Sequence, residues 1–317
     1  MDAGYARRTS AIILAGGDGN RLAAFTRKIA GYNVPKQFCS LLGEETLLAQ
    51  TRRRVSLSIA HDRTVTVLSR HHRRFYSSLL AKTPAANLAI QPSNRGTAVG
   101  ILYGLLRLIE LGHRGTVAIF PSDHFVSDDR AFMGHVEAAL ASAASPLHPI
   151  VLLGVPATRP EIQYGWIEPG AALPAKSPGL APSFRIRHFW EKPSPQIAAD
   201  LWARGLLWNT FVMAADIERL LALFARATPH TYEAFAQVTA GFDEVLDEDM
   251  IARIYTNLPS VGFSEAILTA STADFAVLPV RDVEWSDLGE PRRVIAAMSR
   301  LGLRPRWLGP DNSNSAH

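Results

Sequence analysis

The 317-residue sequence contains one cysteine, Cys39. A lone thiol closes no internal disulfide and cannot build a multi-cysteine zinc site. No apolar run approaches the ~20 residues that cross a bilayer. The apolar run near the amino end, Ala11–Ala15, is too short for a secretory h-region. No repeat at solenoid periods is present. Excess charge of one sign is also missing: 33 basic residues face 29 acidic ones, a net +4. Basic residues do cluster, at Arg52–Arg54 and in "RHHRR" (70–74). They are not interleaved with the aromatics of a single-strand binder. Leu47, Leu48, Thr51 and Val55 recur at helical spacing, which predicts that the arginines between them lie on a solvated helix face. Together these absences predict a cytoplasmic protein with neither nucleic acid nor membrane as partner.

What is present is an apolar fraction of 47%, enough at this length for a large core in one big domain or two smaller ones. Apolar runs at "AIILA" (11–15), "TVTVLS" (64–69), "LAI" (88–90), "TVAIFP" (116–121) and "PIVLLGV" (149–155) alternate with helical stretches. That alternation predicts an α/β fold with a doubly wound, mostly parallel sheet. The segment 97–111 is apolar nearly all round and predicts a buried helix. Beyond 155 the pattern changes. Two strand-like stretches, 162–170 and 183–193, flank a loop rich in Pro, Ala and Gly, which suggests a hairpin with a long excursion. Helices are expected near 194–204, 215–227 and 247–256, and a last strand at 275–280. We expect one compact domain over 1–300, with a half at 10–155 and a smaller substrate-side half at 156–290. The polar tail within 301–317 is expected to be partly disordered.

The loop "GGDGNRL" (16–22) follows the first strand. Glycine lets the backbone approach a ligand, and inward-turned amides form an anion cradle. No Gly-Lys-Ser/Thr follows, so it is not a P-loop. Leu22 stands where a dinucleotide fingerprint needs its third glycine. Instead the loop ends in Arg21, a guanidinium suited to polyphosphate; a plain tight turn with a surface arginine is the alternative. In "VPKQF" (34–38), Pro35 fixes an extended backbone and Lys36 presents a point charge. Asp123 follows the strand 116–121, at the carboxyl edge where α/β ligands bind, or else caps the following helix. Asp287 lies in "WSDLG" after the last strand. Cys39 is expected to be a small buried hydrophobe and His124 a packing residue.

"LAGGDGNRL" followed by "PKQF" and "LLGEETLLAQT" resembles the amino-terminal signature of the sugar-1-phosphate nucleotidylyltransferases, nearest the mannose-1-phosphate guanylyltransferase branch. The likeness continues in order through "QPSNRGTAVGI" (91–101), "FPSDHFV" (120–126), "YGWIE" (164–168), "FWEKP" (189–193), "LWNTFVM" (207–213) and "WSDLG" (285–289), covering about residues 10–290. It implies a Rossmann-like nucleotidyltransferase fold and the transfer of a nucleotidyl group from a nucleoside triphosphate to a sugar 1-phosphate with release of pyrophosphate: GTP and mannose 1-phosphate first, another nucleotide and sugar pair or a non-catalytic sugar-nucleotide sensor otherwise.

The resemblance gives roles to residues. Arg21, Lys36 and Asp123 are catalytic. Ala15, Gly16, Gly17, Gly19, Gln91, Asn94, Arg95 and Thr97 meet the nucleotide. Gly165, Glu191, Lys192 and Asn209 meet the sugar phosphate. Asp123 and Asp287 hold Mg²⁺. A homodimer stays open. Without the resemblance, Glu191 and Lys192 would read as a surface ion pair. Departures from the family pattern fall at Asn20, Gln91, Gly96 and Thr210-Phe211, and the family's Trp-Pro between Arg21 and Pro35 is missing. No stretch after "WSDLG" resembles a cupin-like isomerase domain or a hexapeptide β-helix.

Overall fold

The computed structural model describes residues 9–144, 147–174, 182–238 and 247–303. The strands are β1 (Thr9–Leu14), β2 (Thr64–Ser69), β3 (Leu88–Gln91), β4 (Thr116–Pro121), β5 (Phe125–Val126), β6 (Ile150–Pro156), β7 (Gly165–Ala172), β8 (Phe184–Glu191), β9 (Leu207–Asp216), β10 (Phe275–Pro279) and β11 (Trp285–Ser286). Nine of them form one sheet in the order β3-β2-β1-β4-β9-β6-β10-β8-β7, and β11 pairs with β5 in a small second sheet.

The amino-terminal part is parallel: β1 runs with β2 and β4, and β2 with β3. These strands are buried almost throughout, and successive side chains face opposite layers with the period of two of a doubly covered sheet. Ala11 and Ile13 join one apolar cluster and Ile12 the other; Ala118 and Phe120 face opposite to Val117 and Ile119.

The remainder is mixed. Strand β9 is inserted antiparallel between β4 and β6, so the sheet runs without a break across the 155/156 boundary expected between the halves. Its sequence "LWNTFVMAAD" carried no strand expectation, because a polar Asn-Thr pair interrupts its apolar run. The hairpin β7–β8 touches β10 at Phe184–Arg185 and β9 at Trp166–Ile167. It thus spans from one strand to the other beside the carboxyl ends of the parallel strands.

The helices are α1 (Ala23–Ala30), α2 (Leu47–Val55), α3 (Arg73–Tyr76), α4 (Gly96–Glu110), α5 (Asp129–Ser142), α6 (Pro195–Ala203), α7 (Ile217–Ala227), α8 (Pro229–Val238), α9 (Glu248–Thr256) and α10 (Pro291–Arg300). As expected, α4 is buried over most of its surface. It lies so close to β1 that a Cβ on Gly104 would come within 2.9 Å of Ile12. Helices α8 and α10 were not expected.

One expectation needs correction. Of the three arginines of α2, only Arg53 lies on a solvated face. Arg54 is buried and pairs with Asp129 at 2.6 Å, while Arg52 bonds Thr66 and Thr83. A guanidinium can be buried when carboxylates and hydroxyls satisfy it, and charge runs in sequence do not reveal such partners. Of the tail expected over 301–317 to be partly disordered, residues 304–317 lie outside the described residues.

Candidate active site

The carboxyl ends of β1 and β4, the hairpin β7–β8, the start of β9 and the β11 turn enclose a cavity of about 300 Å³. Its walls include Gly17, Gly19 and Thr97 on one side and Gly165, Glu191 and Asn209 on the other. Asp123, His124, Trp285 and Asp287 also line it.

The glycine loop enters this cavity in a fixed shape. Gly19 has φ +65°, and a Cβ there would meet the Lys36 amide nitrogen at 2.9 Å. Glycine is therefore required both for the turn and for the close approach. Gln37 clamps the loop: its Nε2 donates to the carbonyls of Ala15 at 2.9 Å and Gly17 at 2.7 Å. Sequence reading passed over Gln37, although it stood in the quoted "PKQF".

Lys36 is buried at 6% exposure. Its Nζ pairs with Asp123 Oδ2 at 3.0 Å and donates to the carbonyl oxygens of Asp287 at 2.5 Å and Leu288 at 3.4 Å. The turn that brings both carbonyls to one ammonium has Leu288 at φ +47°, a conformation costing about 1 kcal/mol or more for a side-chain-bearing residue. Asp123 does not cap a helix; Asp128 caps α5, accepting from the amides of Arg130 and Ala131. Asp123 is thus left to the cavity.

Asp287 Oδ1 collects three donors: Tyr164 OH at 2.9 Å, Arg293 Nη1 at 2.6 Å and the Gly289 amide at 2.8 Å. Burial alone would raise its pKa. The positive charges of Arg293 and Lys36 outweigh that and bring it down to about 2. Among the described residues, its Oδ2 has Arg21 nearby, at 3.9 Å, and Asp123 Oδ1 has His124, at 3.8 Å. Among these residues each carboxylate therefore keeps one oxygen without a short partner. Two hard oxygen donors on one cavity suit Mg²⁺, which takes one or two carboxylates and fills its remaining positions with water and phosphate oxygens. Among the described residues no group of three or more His, Cys, Asp and Glu could hold a metal by itself.

Burial lowers the His124 pKa to about 4, which leaves it neutral near pH 7. The ring meets Trp285 edge-on at 5.2 Å, the packing role expected of it. Cys39 is likewise buried, and desolvation raises its thiol to about 11.

At the other end, Asn209 is aimed by an irregularity in β9. The register opposite slips between Leu152 and Gly154, Phe211 takes φ +62°, and its amide donates to Asn209 Oδ1 at 3.0 Å. Such bulges redirect side chains. A Cβ on Gly165 would come within 3.0 Å of Glu191. Lys192, at φ +47°, pairs with Glu191 at 3.1 Å and Glu265 at 3.5 Å. Burial would lower its pKa, but these two carboxylates raise it. For Glu191, burial raises the pKa against the pull of Lys192.

The expected site residues therefore divide. Gly17, Gly19, Thr97, Asp123, Gly165, Glu191, Asn209 and Asp287 line the cavity. Lys36 is bonded to Asp123, and Arg21 stands exposed near Asp287. Lys192 is held to one side by Glu191 and Glu265. Ala15 and Gln91 are buried behind the loop. The Ala15 amide donates to Val67, and Gln91 accepts from Tyr255 OH while its amide end backs Gly16. Asn94 ties Asp18 of the glycine loop at 3.3 Å and receives the Gly96 amide. The Arg95 carbonyl accepts from Val261. Gly96, where the family pattern has asparagine, has φ +86°, and a Cβ there would run into the Val261 carbonyl. Sequence reading also missed Tyr164 and Arg293.

Comparison with known proteins gives the family. The sequence model of the family described as "Nucleotidyl transferase" matches residues 10–302. The alginate biosynthesis protein AlgA of Pseudomonas putida is 30% identical over 286 residues, 88% of this chain and 56% of that protein. Mannose-1-phosphate guanylyltransferase of Escherichia coli is 27% identical over 282 residues, 88% of this chain and 57% of that protein. This chain thus spans about half the length of the curated relatives it matches. A crystal structure described as mannose-1-phosphate geranyltransferase from Thermus thermophilus superposes with a TM-score of 0.77 at 27% identity, covering 91% of this chain and 79% of that one.

Proposed function

Because this chain belongs to the nucleotidyl transferase family, we propose that it transfers a nucleotidyl group from a nucleoside triphosphate to a sugar 1-phosphate with release of pyrophosphate, and that GTP and mannose 1-phosphate are the pair. The name of the Escherichia coli relative favours that pair, and the name of the Thermus thermophilus structure favours mannose 1-phosphate. The observation that carries the reading is Lys36, clasped between Asp123 and the turn after Asp287. It lies beside a cavity with a glycine loop at one end and Glu191 and Asn209 at the other.

A sugar-phosphate oxygen attacks the α-phosphorus. The bond from that phosphorus to the bridging oxygen breaks, and pyrophosphate leaves with the electron pair. No covalent enzyme intermediate is needed, and the phosphate nucleophile is already ionised. The chain's task is to align two anions and to offset the charge that builds on the leaving group. Amides of Gly17 and Gly19 face the triphosphate. Lys36 supplies a buried positive charge, and Arg21, exposed at the rim, meets the outer phosphates. Glu191 and Asn209 bond sugar hydroxyls. Lys192 exchanges Glu265 for the sugar's phosphate. Asp123 Oδ1 and Asp287 Oδ2 would hold Mg²⁺, which supplies Lewis-acid charge neutralisation to the phosphates when bound. We place the reaction in the cytoplasm; among the described residues no helix is long and apolar enough to cross a membrane.

The test is pyrophosphate release requiring both substrates and divalent metal. Asp123→Asn is expected to abolish it while the melting temperature holds. Wild-type turnover in that variant would remove Asp123 from the reaction.

A further inference from the structure

Asp287 is braced from behind by a residue that does not line the cavity. Arg293 sits in the first turn of α10, six residues along the chain, and is 6% exposed. One arm of its guanidinium, Nη1, donates to Asp287 Oδ1 at 2.6 Å. The other, Nη2, pairs with Glu161 Oε2 at 2.9 Å. Its carbon lies 4.5 Å from the centre of the Tyr164 ring, and the hydroxyl of that tyrosine donates to the same Oδ1. With the Gly289 amide, three donors converge on one oxygen of the carboxylate. A Cβ on Gly289 would lie 2.5 Å from the other oxygen, Oδ2, so glycine there keeps Oδ2 clear. Tilting the carboxylate out of this plane would weaken all three bonds at once.

We propose that Arg293 is a positioning residue that fixes the orientation of the Asp287 carboxylate, one oxygen held by donors and the other turned to the cavity, and so sets how tightly a divalent cation with its nucleoside triphosphate is held. This rests on the transfer reading of the site. Arginine suits the place where lysine does not. Its planar fork bridges two carboxylates and stacks on an aromatic ring, whereas an ammonium is a single point charge. Partners behind a metal ligand orient it, and removing them commonly weakens metal binding or activity by about 10–100-fold.

The experiment measures Mn²⁺ binding by electron paramagnetic resonance, with GTP present and no sugar phosphate, in the wild type, R293K, Y164F and D287N. Thermal melts verify folding. R293K is expected to fold and to bind Mn²⁺ about 10–100-fold more weakly. Its turnover should climb toward wild type as metal is raised, with the KM for mannose 1-phosphate changed less than about twofold. Y164F, which removes one of the three donors and keeps the ring under Arg293, should fall between the two. A folded R293K that loses turnover yet binds Mn²⁺ like the wild type overturns the proposal, as does one that keeps both. If D287N leaves Mn²⁺ binding untouched, the metal role of Asp287 fails first and the proposal falls with it. If D287N abolishes binding and R293K does not weaken it, the proposal alone falls.

Discussion

Replacing Asp287 with asparagine removes a charge and little else. The shape is kept, and Arg293 retains Glu161 as a partner at 2.9 Å, so the guanidinium is not stranded. The cost follows from linkage. A carboxyl whose pKa drops from 3.8 to about 2 on folding contributes about 2 kcal/mol at neutral pH, at about 1.4 kcal/mol for each pKa unit. The pKa is depressed in the folded state. The contribution is therefore present above the unfolded value, near pH 4, and is lost as the pH falls through 2. About half of it, roughly 1 kcal/mol, remains at pH 3. Urea unfolding of wild type and D287N in EDTA, at steps from pH 7 down to pH 3, gives the difference directly. The gap should be near 2 kcal/mol at pH 7 and pH 5 and shrink by pH 3. A gap that stays flat across that range, or a D287N protein as stable as wild type at pH 7, would refute the assignment of Arg293 and Lys36 as the charges that hold Asp287 ionised.

Lys36→Met should fold, since the methionine fills the path of the lysine stem, while pyrophosphate release falls by about 10²–10³, the usual cost of removing one preorganised charge-stabilising donor; wild-type turnover would exclude Lys36 from the chemistry. The Cys39 thiol, buried and with its pKa raised to about 11, should react with a disulfide reagent at pH 8 orders of magnitude more slowly in the native protein than in urea. Equal rates would contradict its burial.

The parallel half of the sheet was legible because its strands are buried on both faces and read as continuous apolar runs. Strand β9 was not, because Thr210 is polar and buried: its hydroxyl donates to the Leu153 carbonyl at 2.7 Å, and a satisfied hydroxyl leaves no apolar trace. The same limit explains α2, whose Arg54 is satisfied by Asp129 from another helix. At the site, motif order located the loop, Asp123 and Asp287, and the structure gathers them on one cavity. Gln91 lies next to the nucleotide segment in sequence, and its side chain packs behind Gly16, a position that sequence alone does not show. Arg293 gave no signal. Its partners Glu161 and Tyr164 lie more than a hundred residues earlier, and only the folded chain brings them together.

The transfer reading is tested most directly by pyrophosphate release with Mg²⁺ across a grid of nucleoside triphosphates against mannose, glucose and other sugar 1-phosphates. The expected result is a maximum at GTP with mannose 1-phosphate and no release when either substrate is omitted. A maximum at another pair would keep the chemistry and change the substrates. A folded protein that binds nucleotide and releases pyrophosphate with none of them would contradict it.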